Sequence, residues 1–134
     1  MFDNTLTLTD GAADIATAII DGPAGRKTLR SSADGVTQLT IAHQDSNENP
    51  GYVTQRSNIR VSRSFEIEDT GKSVSAYAQL TLSVPKDTVD EAAAMKLIAM
   101  LVNFLALSEA GAFGSAIMDS ASQVGAKRLY AGEP

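Results

Sequence analysis

Three short runs hold the side chains of this 134-residue chain that could do chemistry. The first is Gln38, Thr40 and Gln44. The second is Arg56, Asn58, Arg60, Ser62, Ser64 and Glu66. The third is Tyr77, Gln79 and Thr81. In each run these residues hold alternate positions, and apolar residues such as Leu39, Ile41, Ile59, Val61, Phe65, Ala78 and Leu80 fall between them. A strand sends alternate side chains to opposite faces, so each run presents one apolar and one hydrogen-bonding face. Pooled, the polar members offer guanidinium groups for phosphates, amides and hydroxyls for base edges, and one aromatic ring for stacking. That set suits single-stranded RNA, whose splayed bases are held by stacking and by edge hydrogen bonds. An antiparallel sheet with one solvated face is polar in any case, so the composition alone is weakly specific.

Groups for covalent or metal chemistry are few. His43 is the only histidine, and parity places it with Leu39 and Ile41 on the apolar face. No Ser-His-Asp spacing emerges, and the HExxH, P-loop, GxGxxG and EF-hand patterns are absent. Asp45, Glu48, Asp87, Asp90 and Glu91 are acids of a loop and of a helix start, where carboxylates have ordinary roles. The absence of cysteine excludes disulfides, thiolate zinc sites and cysteine nucleophiles. No enzyme is expected, and no cofactor or metal.

The net charge of −5 argues at first against nucleic acid. Its distribution argues differently. Arg26, Lys27, Arg30, Arg56, Arg60 and Arg63 stand against only Asp34, Asp45 and Glu48 in the segment 26–63, while the flanking segments are acidic. Six bases on strands also read simply as solvated strand edges. The acidic amino-terminal residues do not resemble a signal peptide. The apolar stretch Leu97–Leu107, interrupted by Asn103, is too short to span a bilayer. Hydrophobic content of 43% with 20% charged residues marks a globular chain, expected as a single domain over 1–134.

These side chains need strands to position them. Leu6 and Leu8 alternate with threonines, Asp10-Gly11 turns the chain, and 13–20 reads as the second arm of an amino-terminal hairpin. Strands follow at 26–31, 36–44, 52–55, 58–68 and 73–84, with hairpin turns at Asp34-Gly35 and Thr70-Gly71. Pro85 ends the last. Thr88 with Glu91 three residues on then forms a capping-box signature for a helix to about Ser108, and a second helix covers roughly 112–123. Strands segregated from helices mean an α+β domain: an amino-terminal β-hairpin, a five-stranded antiparallel meander and two carboxy-terminal helices. Residues 92–107 are apolar almost all round, more than one sheet face can cover. The expected remedy is a homodimer in which the helices of the two copies interlock over the sheets. The alternative is a monomer whose helix is covered by the hairpin.

The whole pattern resembles the coat proteins of the small single-stranded RNA bacteriophages, the leviviruses. The local similarity is clearest in Ile59–Ile67 and in SAYAQLTLSVPKD, Ser75–Asp87. The resemblance implies a capsid protein whose dimers assemble into an icosahedral shell, commonly of T=3 type, around single-stranded genomic RNA. It implies assembly in the bacterial cytoplasm, a virion location, no membrane partner, a sheet facing RNA and helices facing out. It also implies binding of an RNA hairpin as a translational repressor. Tyr77 matches a tyrosine that stacks on a loop base, Gln79 an amide that contacts it, and Thr40 a threonine of a base pocket. Arg60, Ser62, Ser64 and Glu66 match the functional positions of the neighbouring strand. Ser64 stands where lysine is frequent, Ala42 replaces a pocket serine, and Gln38 and Gln44 replace basic residues, which weakens a tight operator pocket. The short turn 68–73 matches the loop that meets at the five-fold and quasi-six-fold axes. The runner-up is a homodimeric α+β module that binds RNA or a small ligand on its sheet without forming shells.

Overall fold

Period-two alternation carries the chain into six strands. The structure is a computed structural model that describes residues 5–9, 13–21, 27–47, 51–105 and 130–131. The strands are β1 (Thr5–Thr9), β2 (Asp14–Asp21), β3 (Lys27–Ser31), β4 (Thr37–Ser46), β5 (Thr54–Glu66) and β6 (Ser73–Pro85). They form one sheet in chain order, β1-β2-β3-β4-β5-β6, with the pairs from β2 to β6 antiparallel. The amino-terminal hairpin is therefore continuous with the meander. Thr17, buried in β2, donates its hydroxyl to the Leu6 carbonyl of β1 at 2.8 Å. A register shift between Ile19 and Asp21 marks an irregularity where β2 meets β3.

The expected five-stranded meander has four strands. The expected pieces 52–55 and 58–68 are one strand, β5, paired residue by residue with β4 from Thr54 to Arg63 and with β6 along its whole length. The polar run Gln55-Arg56-Ser57 has no apolar marker, but ladder bonds on both sides hold it extended. The register stays unbroken through Arg63, so β5 carries no bulge there.

The core centres on β3 and β4, where Leu39 and Ile41 are buried. Arg30, expected among the solvated bases, is 1% exposed. It pairs in register with Ile19 on one side and Leu39 on the other, on the sheet face opposite the candidate RNA residues. The β3–β4 turn is built from side chains. The Ser32 hydroxyl donates to Asp34 Oδ1 at 2.5 Å, the Val36 amide donates to the same oxygen at 3.0 Å, and the Thr37 amide donates to Ser32 Oγ at 3.1 Å. These bonds to the charged form hold the Asp34 carboxyl below its ordinary value of 3.8, with Ser32 the larger cause. The turn's share of stability is thus full above that value and is lost as pH falls through the lower folded one.

After Pro85 the chain turns through Asp87, which adopts a positive φ of 65°, a conformation aspartate tolerates better than most residues. The described helix, α1, runs from Glu91 to Leu105. Its N-cap is Asp90, not Thr88: Asp90 Oδ1 accepts the Ala93 amide at 2.8 Å. The last residues of the expected first helix and the whole of the second lie outside the described residues. Strands β3–β6 belong to one compact unit and α1 to another. Among the described residues no helix is long and apolar enough to cross a membrane.

Gly35 holds φ at 74°, and a Cβ built there meets nothing within 4 Å. Gly35→Ala should therefore cost about 1–2 kcal/mol from backbone strain alone, with Gly35→Asn costing less. Urea unfolding of the three proteins measures this. Equal midpoints would show that the turn relaxes without cost.

Candidate functional site

Three antiparallel ladders in fixed register turn the separate polar runs into one surface. Gln38, Ser62 and Tyr77 form a cross-strand row. Thr40, Arg60 and Gln79 form the next, Ala42, Asn58 and Thr81 the third, and Gln44, Arg56 and Ser83 the fourth. Ser64 opposite Ser75 and Glu66 opposite Ser73 extend the surface toward the β5–β6 turn. All twelve residues singled out in the sequence therefore share one face. Strands lie about 4.8 Å apart and alternate residues about 6.8 Å apart, so four strands and four rows span roughly 14 by 20 Å.

The register adds β3 to the surface, which the sequence did not. Lys27 pairs with Ala42, Leu29 with Thr40 and Ser31 with Gln38. Lys27 is exposed and contributes a third cation beside Arg56 and Arg60. The only signal for it was the alternation of a five-residue strand, too short to assign a face without its partner. Arg63 pairs with Thr37 and Ala76 on the opposite face, 5.9 Å from the Phe65 ring centroid. The charged surface of the site is thus Lys27, Arg56 and Arg60, with Glu66 at its far end.

Several groups are already oriented. Asn58 Nδ2 donates to Thr81 Oγ1 at 2.9 Å and to the Leu80 carbonyl at 3.5 Å. This ties the third row across β5 and β6 and leaves the Thr81 hydroxyl proton to be donated outward. The Arg60 guanidinium lies over the Tyr77 ring, its Cζ 3.7 Å from the centroid. Tyr77 remains 58% exposed. Gln44, Arg56, Ser64, Glu66 and Gln79 are exposed, and Gln38, Thr40, Asn58 and Ser62 are half-buried. The face offers cations, an aromatic ring, hydroxyls and amides on a flat support, which can hold a polyanion with stacking bases.

The other face has a second polar group. His43 Nδ1 lies 2.9 Å from Ser57 Oγ, directly across the β4–β5 ladder. Two positions along, Asp45 Oδ2 accepts from Lys86 Nζ at 2.9 Å. A serine nucleophile needs a base that is itself oriented, with donors for the developing oxyanion. The Ser57–His43 pair supplies only the first two members of such a set. No group of three or more metal-ligating side chains occurs among the described residues.

No family model matches the sequence, and no curated protein does. Solved structures do share the fold. The bacteriophage EMS014 coat protein is similar with a TM-score of 0.72 at 18% identity, over 99% of this chain and 98% of that one. A virus-like particle of bacteriophage AVE019 gives a TM-score of 0.61 at 16% identity, over 78% and 87% of the two chains. A virus-like particle of Beihai levi-like virus 21 gives 0.57 at 13% identity, over 97% and 94%. At such identities the likeness is one of fold, and the fold is that of levivirus-like phage coat proteins.

Each phosphate neutralised on a single strand contributes a slope of about 0.7 to the fall of log affinity with log salt. Lys27→Ala and Arg56→Ala are each expected to reduce that slope by this amount for a single-stranded RNA. Arg63→Ala, on the opposite face, should leave it unchanged. Fluorescence anisotropy over a salt series decides this, and an equal response of all three variants would remove the face from the contact.

Proposed function

We propose that this chain is the coat subunit of a single-stranded RNA bacteriophage. It acts as one coat-protein domain over 1–134, pairs with a second copy, and assembles into an icosahedral shell whose inner surface is the polar face of β3–β6. The observation that carries the proposal is the fold shared over nearly the whole of both chains with the EMS014 coat protein. The single polar face built by the β4–β5–β6 register supports the RNA part.

The homodimer answers a physical need. On α1, Met95, Leu97, Met100, Leu101, Val102 and Phe104 are all exposed in the single chain. Each is about half exposed, so covering what remains stabilises by about 1 kcal/mol each. On the apolar sheet face Ile59, Phe65 and Val74 are exposed as well. Strand β6, thirteen residues long, ends the order of the described strands, with β5 as its neighbour among them. An open edge of that length with an apolar face invites pairing with another chain. A second copy satisfies both needs: its β6 continues the sheet and its helices interlock over the apolar face.

The same inner face takes the packaged genome and an RNA hairpin, through which the dimer represses translation. The location is the virion, after assembly in the bacterial host. Shell geometry of the T=3 kind is the expectation, with the turn between β5 and β6 at the symmetry axes. That turn closes tightly, the Ile67 amide donating to the Lys72 carbonyl at 2.8 Å.

The test is size-exclusion chromatography with light scattering on the chain expressed alone in bacteria, with absorbance read at 260 and 280 nm. Megadalton particles rich in nucleic acid are the expected result. A dimer free of nucleic acid would overturn the shell and favour a sheet-face binding module for RNA or another ligand.

A further inference from the structure

Arg60 and Tyr77 are not opposite each other in the sheet. Arg60 pairs with Gln79 and Tyr77 with Ser62, so the two side chains meet diagonally across the β5–β6 ladder, a reach open to long and aromatic residues. At 3.7 Å from Cζ to the ring centroid the guanidinium lies in stacking contact with one face of the phenol ring. A guanidinium can stack flat on a ring in this way, with its charge over the ring face. Tyr77 nevertheless keeps more than half its surface open to solvent.

We propose that Arg60 is a positioning residue for base stacking, not a phosphate contact. It holds the Tyr77 ring in place on the sheet, so that the ring surface left open is positioned for the stacked base that the coat-protein resemblance implies, giving a guanidinium–phenol–base stack. Ser62 and Gln79, the ladder partners of the pair, place a hydroxyl and an amide beside the stack for the base edge. The proposal rests on reading the β3–β6 face as an RNA surface. It depends on the planarity of the guanidinium: a lysine keeps the charge but cannot stack flat on the ring.

The test uses the full chain and two labelled probes, a short oligoadenylate and an abasic ribose-phosphate strand of the same length, read by fluorescence anisotropy. Arg60→Lys should weaken oligoadenylate binding roughly two- to fivefold, the size of an exposed cation–π contact, and leave the abasic strand unaffected. In the background of Tyr77→Ala the same change should have no further effect, since the ring it positions is gone. Thermal melts of the variants check that each remains folded. The proposal is overturned if Arg60→Lys leaves both probes unchanged while Arg60→Ala weakens both alike and flattens the salt slope, the signature of a phosphate contact. Equal binding of the two probes by the unaltered chain would overturn stacking while leaving an RNA surface in place. Failure of the unaltered chain to bind either probe would remove the RNA surface and the stack with it.

Discussion

Everything in the sheet depends on the register of β5. This strand is bonded on both sides, to β4 and to β6, with no slip over its paired length. Side chains alternate with a period of two, so a shift by one residue would send Arg56, Asn58 and Arg60 to the apolar face and bring Ile59 and Val61 to the polar one. The apolar residues oppose this, because Ile41, Ile59 and Leu80 meet in one row and Leu39, Val61 and Ala78 in the next. The polar surface is in that sense a by-product of core pairing: the rows that bury carbon on one side align guanidinium, amide and hydroxyl groups on the other.

The two faces also differ in completeness. The polar face is finished within one chain, since its four strands are present and its members are already tied by the Asn58–Thr81 bond and the Arg60–Tyr77 contact. The apolar surfaces are largely open among the described residues. Among the described residues the buried apolar side chains are Leu39, Ile41 and Ala94, while Phe65, Val74 and most of α1 are exposed. If a second copy covers these apolar surfaces, as proposed, association contributes to the stability of each chain. For the proposed coat subunit, folding and the first step of assembly would then be a single equilibrium, dependent on protein concentration.

The alternation of Ile59–Ile67 and of Val74–Val84 was legible in the sequence because it persists long enough to exclude a helical period, and with it came the membership of the polar face. What was not legible needed partners. Gln55-Arg56-Ser57 carries no apolar marker, so only bonding to both neighbours shows that β5 passes straight through. Lys27 and Arg30 lie in a strand of five residues, where parity has no meaning until Ala42 and Leu39 are set against them; one proves to be a surface cation and the other a buried one. Thr88 and Asp90 are both good caps by type, and only the bond from the Ala93 amide to Asp90 Oδ1 shows which one the helix uses. The contact of Arg60 with Tyr77 joins residues distant in sequence and rests wholly on the ladder.

The order of elements has a consequence for synthesis. The outer edge of β6 emerges from the ribosome while α1 still lies inside the exit tunnel. For the proposed dimer, chains emerging side by side from one message would present matching edges to each other before either has a helix free to fold over its sheet. Pairing among siblings on a polysome would then precede release, and the local crowding of one messenger would do the work that high bulk concentration does for a subunit that finishes folding alone.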